Sequence, residues 1–165
     1  MSLKNALDRL DDTMWQGDVV CIKPIETQDE LAYAIFECQL SEEQTELVNL
    51  AGFSIGRAYL FPEDHVPCLI YDDEKNPIGF ISLCRWLGKG DACNSWSYYI
   101  DRAHQGKGYG RKAAALAIRI LKAADPKKII KLSTEKGNEK AQRLYLSLGF
   151  QMLPEFDGDD LVFGL

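Results

Sequence analysis

Between residues 105 and 111 the chain runs Gln105-Gly106-Lys107-Gly108-Tyr109-Gly110-Arg111, three alternating glycines followed at once by an amphipathic stretch. Glycine reaches backbone conformations that other residues resist, so successive N–H groups can turn toward one ligand. A helix opening at that point adds unsatisfied donors and a partial positive charge. The chemistry implied is the holding of an anion such as a pyrophosphate, with Lys107 and Arg111 adding charge at the rim. Two familiar phosphate loops fit badly. One needs Gly-Lys followed by Ser or Thr, whereas Gly106-Lys107 is followed by Gly108. The dinucleotide fingerprint needs glycines spaced G-x-G-x-x-G, and here they run G-x-G-x-G.

A second segment, Asn138 to Phe150, places Ala141, Leu144, Tyr145 and Leu148 on one helical stripe. Alone, Tyr145 is a core aromatic and Asn138 an N-cap. The first motif gives both a chance of more.

The elements that must position these residues follow from pattern. Residues 1–17 form a polar, partly helical lead-in, in part unstructured. Val19 to Ile25 alternates as a strand, and Thr27 caps a helix over Gln28 to Gln39. Ser41-Glu42-Glu43-Gln44 matches a capping box and predicts a second helix through Leu50. Strands follow at Val66–Tyr71 and Ile78–Leu87, joined by a turn at Asp72–Pro77, and then at Asn94–Ile100 after a turn at Gly88–Asp91. The glycine run opens a helix to Ala124, with Ala113, Leu116, Ala117, Ile120 and Ala124 on one face and Lys112, Arg119 and Lys122 on the other. Pro126 ends it. A strand at Lys128–Ser133, a helix from Asn138 to Leu148 closed by Gly149, and strands near Gln151–Leu153 and Leu161–Leu165 complete the chain. Hairpins first and strand–helix–strand crossovers later imply one α/β domain over residues 1–165, with a mixed sheet and helices on both faces.

Composition narrows the partners. A net charge of −6, with no basic run outside residues 105–143, argues against nucleic acid, although it suits a small cationic ligand. No apolar run approaches the roughly 20 residues of a membrane span, and residues 1–12 lack a signal-peptide core, so a cytoplasmic protein is expected. Five scattered cysteines without a C-x-x-C pair predict buried free thiols and no metal site.

Gln105-x-x-Gly108-x-Gly110 resembles the Q/R-x-x-G-x-G/A signature of the GNAT superfamily of N-acetyltransferases. Asn138, Ala141, Tyr145 and Gly149-Phe150 resemble its second cofactor segment. Trp96-Ser97-Tyr98-Tyr99-Ile100-Asp101 and Ser41-Glu42-Glu43-Gln44 are similar to stretches of bacterial spermine/spermidine acetyltransferases. The resemblance implies a mostly antiparallel sheet of about seven strands. It also implies acetyl-CoA as cosubstrate, held by the backbone of Tyr98, Tyr99 and Ile100, by Gln105, Gly106, Lys107, Gly108, Tyr109, Gly110 and Arg111, and by Asn138 and Ala141. Tyr145 would be the general acid in direct attack by a primary amine through a tetrahedral intermediate, with a polyamine as the acceptor. Homodimers are frequent among such relatives. A protein amine or an aminoglycoside is the alternative acceptor, and a noncatalytic acyl-CoA sensor the alternative class. Trp96 stands where some polyamine acetyltransferases carry a basic glutamate, which leaves the base unassigned. Glu135 is a weak candidate, and Glu42, Glu43 and Glu46 would attract a cation.

Overall fold

Alternation of side chains along the central strands builds the core in two layers. In the computed structural model, which describes residues 1–86 and 92–165, four strands pair antiparallel in chain order: β1 (Val20–Pro24), β2 (His65–Asp72), β3 (Pro77–Trp86) and β4 (Cys93–Ile100). Ile81, Leu83, Trp96 and Ile100 pack toward α1 (Leu3–Leu7) and α4 (Tyr109–Ala124). Leu69, Phe80 and Tyr99 pack on the opposite face, against Ala34, Ala51 and Ile55. Those last residues belong to the segment after α2 (Gln28–Ala32) and to α3 (Ala51–Leu60). The expected turn at Gly88–Asp91 and the strand end at Leu87 lie outside the described residues.

A second sheet of β5 (Lys131–Thr134), β6 (Gln151–Asp157) and β7 (Asp160–Gly164) has the order β5-β7-β6, with α5 (Glu139–Ser147) leading from β5 to β6. Among the described residues one backbone bridge joins the two sheets. Asn94 N–H donates to the Ile129 carbonyl at 3.0 Å, forming a parallel bridge between Asn94 and Ile130. Past that bridge the strands part. The result is the expected seven-stranded mixed architecture, with the stripe Ala113, Leu116, Ala117 and Ile120 of α4 buried as its pattern predicts.

Three expectations need correction. The lead-in is an ordered part of the core: Leu3, Ala6 and Leu7, spaced i, i+3, i+4, are all buried, and the buried Arg85 guanidinium donates to the Met1 carbonyl at 2.8 Å. A five-residue helix is marginal alone, so packing holds it. Leu3→Ala should therefore cost about 2–5 kcal/mol in urea unfolding; a change within about 0.5 kcal/mol would mean the segment is not core.

Ser41 does not open a helix to Leu50. A short 3-10 turn covers Glu42–Gln44, and the helix is α3, ten residues later in the chain. Ser41 Oγ donates to Gln44 Oε1 (3.2 Å), which also accepts from Gln105. The glutamine that would close the capping box is thus engaged elsewhere. By contrast Thr27 caps α2 as expected, with Glu30 completing the box, and the helix continues as a π turn over Tyr33–Glu37. The third correction is β6, which runs to Asp157 rather than Leu153. It crosses a register shift between Met152 and Phe156, around Pro154, which has no N–H to give to a ladder.

All five cysteines are free. Cys21, Cys38, Cys68 and Cys93 are buried and Cys84 half-buried. Burial pushes the Cys38 thiol up to about 12, which keeps it protonated and unreactive.

Candidate functional site

Within a strand the N–H and C=O of one residue leave by the same edge, and alternate residues use opposite edges. Asn94 uses the β5 edge of β4, whereas Asp101 donates to Ile78 of β3 at 2.8 Å. The backbone groups of Trp96, Tyr98 and Ile100 therefore face the gap, and those of Ser95, Ser97 and Tyr99 pair with β3. Across the gap Ile130 exchanges both hydrogen bonds with Leu165 (3.0 and 2.9 Å), which turns the backbone of Lys131 and Ser133 toward β4. Two unpaired strand edges thus face each other across a cleft of about 1400 Å³. Ordinary sheet edges are covered or blunted; these are open to receive an extended ligand.

Gln105 fixes one end of the cleft. Its Nε2 donates to the Ile100 carbonyl at 2.8 Å and to Gln44 Oε1 at 2.6 Å, tying the glycine run to β4 and to the turn after α2. Gly108 then sits at φ +83° as the residue before α4, a left-handed conformation that a side chain resists. Among the described residues no side chain caps the first turn of α4, so its N–H groups stay available. A methyl group built on Gly106 or Gly108 would meet nothing within 4 Å, which shows the loop's face to be open. Tyr98 Oη donates to the Gly110 carbonyl at 3.2 Å and orients the start of the helix.

Arg111 is not a free rim charge. Its guanidinium donates to Ser147 Oγ and, at 3.3 Å, to the Ser147 carbonyl, joining α4 to the end of α5. Asn138 caps α5 by accepting from Ala141 N–H at 3.2 Å, so the two are partners of one another as well as cleft residues.

Tyr145 lies on the inner face of α5. Gly149 at φ +94° ends that helix, and Phe150 N–H returns to the Tyr145 carbonyl at 3.1 Å. The turn seats the Tyr145 ring 5.8 Å from Phe150 and 5.7 Å from Phe163, centroid to centroid. The phenol borders the cleft without a hydrogen-bond partner among the described residues. Burial pushes it up to about 12, so it holds its proton throughout the neutral range.

Of the residues expected from sequence, Tyr98, Ile100, Gln105, Gly106, Gly108, Tyr109, Gly110, Arg111, Asn138, Ala141 and Tyr145 all border this cleft. Lys107 is exposed beside it. Tyr99 turns away: its backbone belongs to the β3 edge, and its hydroxyl accepts from Ala51 N–H (3.3 Å) at the start of α3. Spacing gave no sign of Gln44, of the backbone of Trp96 and Ser133, or of Arg57. These come from separate elements that meet only in the folded chain. Glu135 is exposed at the lip, and Glu43, Glu46, Asp157 and Asp160 also border the opening. Among the described residues no group of three candidate metal ligands gathers. Among them, too, no helix is long and apolar enough to cross a membrane.

Two splayed strand edges thus end at an uncapped glycine turn, and comparison with known families says what kind of protein carries them. The profile of the "Acetyltransferase (GNAT) family" matches residues 29–150. The chain belongs to that family and is an acetyl-CoA-dependent N-acetyltransferase. No curated protein is matched by sequence.

Solved structures share the fold at low identity. Aminoglycoside acetyltransferase AAC(6')-Ib in complex with coenzyme A is 21% identical over 88% of this chain and 92% of its own, with a TM-score of 0.67. The GNAT domain of S. lividans PAT is 16% identical over 95% and 99%, with a TM-score of 0.68. Ribosomal-protein-S5-alanine acetyltransferase from Vibrio fischeri is 17% identical over 91% and 94%, with a TM-score of 0.59.

Proposed function

We propose that the chain acetylates a primary amine in the cleft between β4 and β5. The observation that carries this reading is the uncapped start of α4 beneath an open glycine turn, at the end of two unpaired strand edges. The residues fit acetyl-CoA, which supplies the activated acyl group. Backbone donors from Gly106 to Arg111 hold its pyrophosphate. The gap-facing groups of Tyr98 and Ser133, with Asn138 and Ala141, align its extended arm. Tyr98 N–H stabilises negative charge as it develops on the thioester oxygen. Tyr145, protonated and unpartnered, delivers a proton to the departing thiolate.

For the acceptor, sequence resemblance favours a polyamine such as spermidine or spermine. The acidic opening of Glu43, Glu46, Asp157 and Asp160 supports a cationic guest there. A protein amine or aminoglycoside is the second reading, and one observation favours its protein α-amine form. Trp96 is buried at 6% exposure where a carboxylate base would serve an alkylamine. An alkylamine of pKa about 10.4 is almost wholly protonated at neutral pH, whereas an α-amine of about 7.8 is partly free without help.

The pH profile tests this account. With no enzyme base titrating, kcat/KM for a diamine should climb about tenfold per pH unit between about pH 7 and 9, following the free amine. For an α-amine it should level off near about pH 8. Tyr145 keeps its proton until about 12, so neither curve should fall below about pH 11. A bell with an alkaline limb near pH 9 would remove Tyr145 from the acid role.

A further inference from the structure

We propose that the acceptor end of the cleft is an anion-recognition subsite, in which Arg57 of α3 receives a carboxylate borne by the amine substrate. The inference rests on acetyl transfer in this cleft and departs from the polyamine reading, naming the acceptor as an amino acid or a short peptide that carries both an α-amine and a carboxylate.

The argument begins with the register of the sheet. His65 lies opposite Cys84 and Cys84 opposite Ser95, so three residues form a row across β2, β3 and β4. Cys84 and Ser95 form part of the cleft wall, and Arg57 borders the same cavity from α3. The guanidinium is felt along the row. Burial raises the Cys84 thiol to about 11 against the opposing pull of Arg57, and Arg57 adds to the burial that lowers His65. Arg57 is itself solvent-exposed and lines the cavity from the α3 side.

Arg57 takes part in no ion pair among the described residues, although Arg85, Arg143, Lys4 and Lys131 all do. An arginine fork with no ion-pair or hydrogen-bond partner among the described residues is suited to a carboxylate, which it can bind through two parallel hydrogen bonds. The acids Glu43, Glu46, Asp157 and Asp160 stand on the loop before α3 and on the β6–β7 hairpin. A zwitterion satisfies both sets, its ammonium drawn by the acids and its carboxylate by Arg57. A polyamine reaching this end would bring a second ammonium to the guanidinium, and like charges repel. The missing base points the same way. At pH 7.5 roughly a third of an α-amine is free, against roughly 0.1% of an alkylamine, so a site without a carboxylate on β4 suits the former.

The test uses alanylalanine and its C-terminal amide, which differ only in the carboxylate. Turnover is read as thiol release from acetyl-CoA, and binding as calorimetric titration into the protein saturated with coenzyme A. The wild type should prefer the free acid by about tenfold to a hundredfold in kcat/KM and in affinity, the range of a charge-assisted pair. Arg57→Ala should erase that preference by raising KM for the acid alone, with the acetyl-CoA Kd unchanged. Arg57→Lys should restore part of it, because charge returns without the fork. Equal use of acid and amide by the wild type, or a preference that survives Arg57→Ala, overturns the subsite. An acid preference in binding with no turnover of any amine would uphold the subsite while sinking acetyl transfer. Turnover of polyamines with no acid preference would do the reverse.

Discussion

Gly108→Val should weaken acetyl-CoA binding by about a hundredfold or more in a protein that still folds. Gly108 holds φ +83°, which a β-branched residue adopts at a cost of about 1–3 kcal/mol. The chain can avoid that cost only by rotating the peptide groups that aim the loop's N–H donors. The new side chain would also project into the open face, where no described atom beyond its chain neighbours lies within 4 Å of its Cβ. That emptiness separates function from folding: α4 keeps its buried stripe and no core atom is displaced. Calorimetric titration of acetyl-CoA checks the affinity, and far-ultraviolet circular dichroism checks the fold. Gly108→Ala should fall between, at about a tenfold loss, because a methyl carries less of the steric penalty. Undiminished affinity in a folded Gly108→Val protein would remove the pyrophosphate from this loop.

Tyr145→Phe should lower kcat by roughly 10²- to 10⁴-fold, the span of a positioned general acid, with little change in acetyl-CoA affinity. The ring makes its packing contacts with Phe150 and Phe163 through carbon, and its hydroxyl has no hydrogen-bond partner among the described residues. Phenylalanine therefore fits without a cavity, and the melting temperature should stay within a few degrees. A large fall in stability would point to a structural role for the hydroxyl. An unchanged kcat would show that the thiolate leaves without a proton from Tyr145.

The parts of the site that sequence exposed are local ones. Gln105 to Arg111 is legible because glycine spacing and the helix that follows share one stretch of chain, and Asn138 to Gly149 because cap, stripe and terminator do. The rest depends on pairings between distant segments. Nothing in the order of Tyr98 and Tyr99 says which faces the cleft. That is decided by the hydrogen bond from Asn94 N–H to the Ile129 carbonyl, which fixes the parity of β4. Ser41 to Gln44 carried a valid local signal, yet Gln44 pairs with Gln105, sixty-one residues away, and the predicted helix gives way to α3. Arg57 lies in a helix that the periodicity did not reveal, so its place on the cavity that Cys84 and Ser95 also line was invisible before the fold.

The fold itself was largely readable. Hairpins followed by crossovers implied a mixed sheet, and the strands of both sheets lie close to their expected positions. Besides the Ser41 capping signal and the length of β6, the polar composition of the first residues misled, because Leu3, Ala6 and Leu7 are enough to anchor a short helix once α4 is there to receive it.

The most direct measurement is thiol release from acetyl-CoA, with mass analysis of the acceptor, across spermidine, spermine, a simple diamine, an aminoglycoside, alanylalanine and a lysine peptide. The account predicts acceptor-dependent release matched mole for mole by an N-acetylated amine, and its loss in Tyr145→Phe. Tight binding of acetyl-CoA with no acceptor-dependent release from any amine would contradict it, and would leave a protein that holds the acyl carrier without using it.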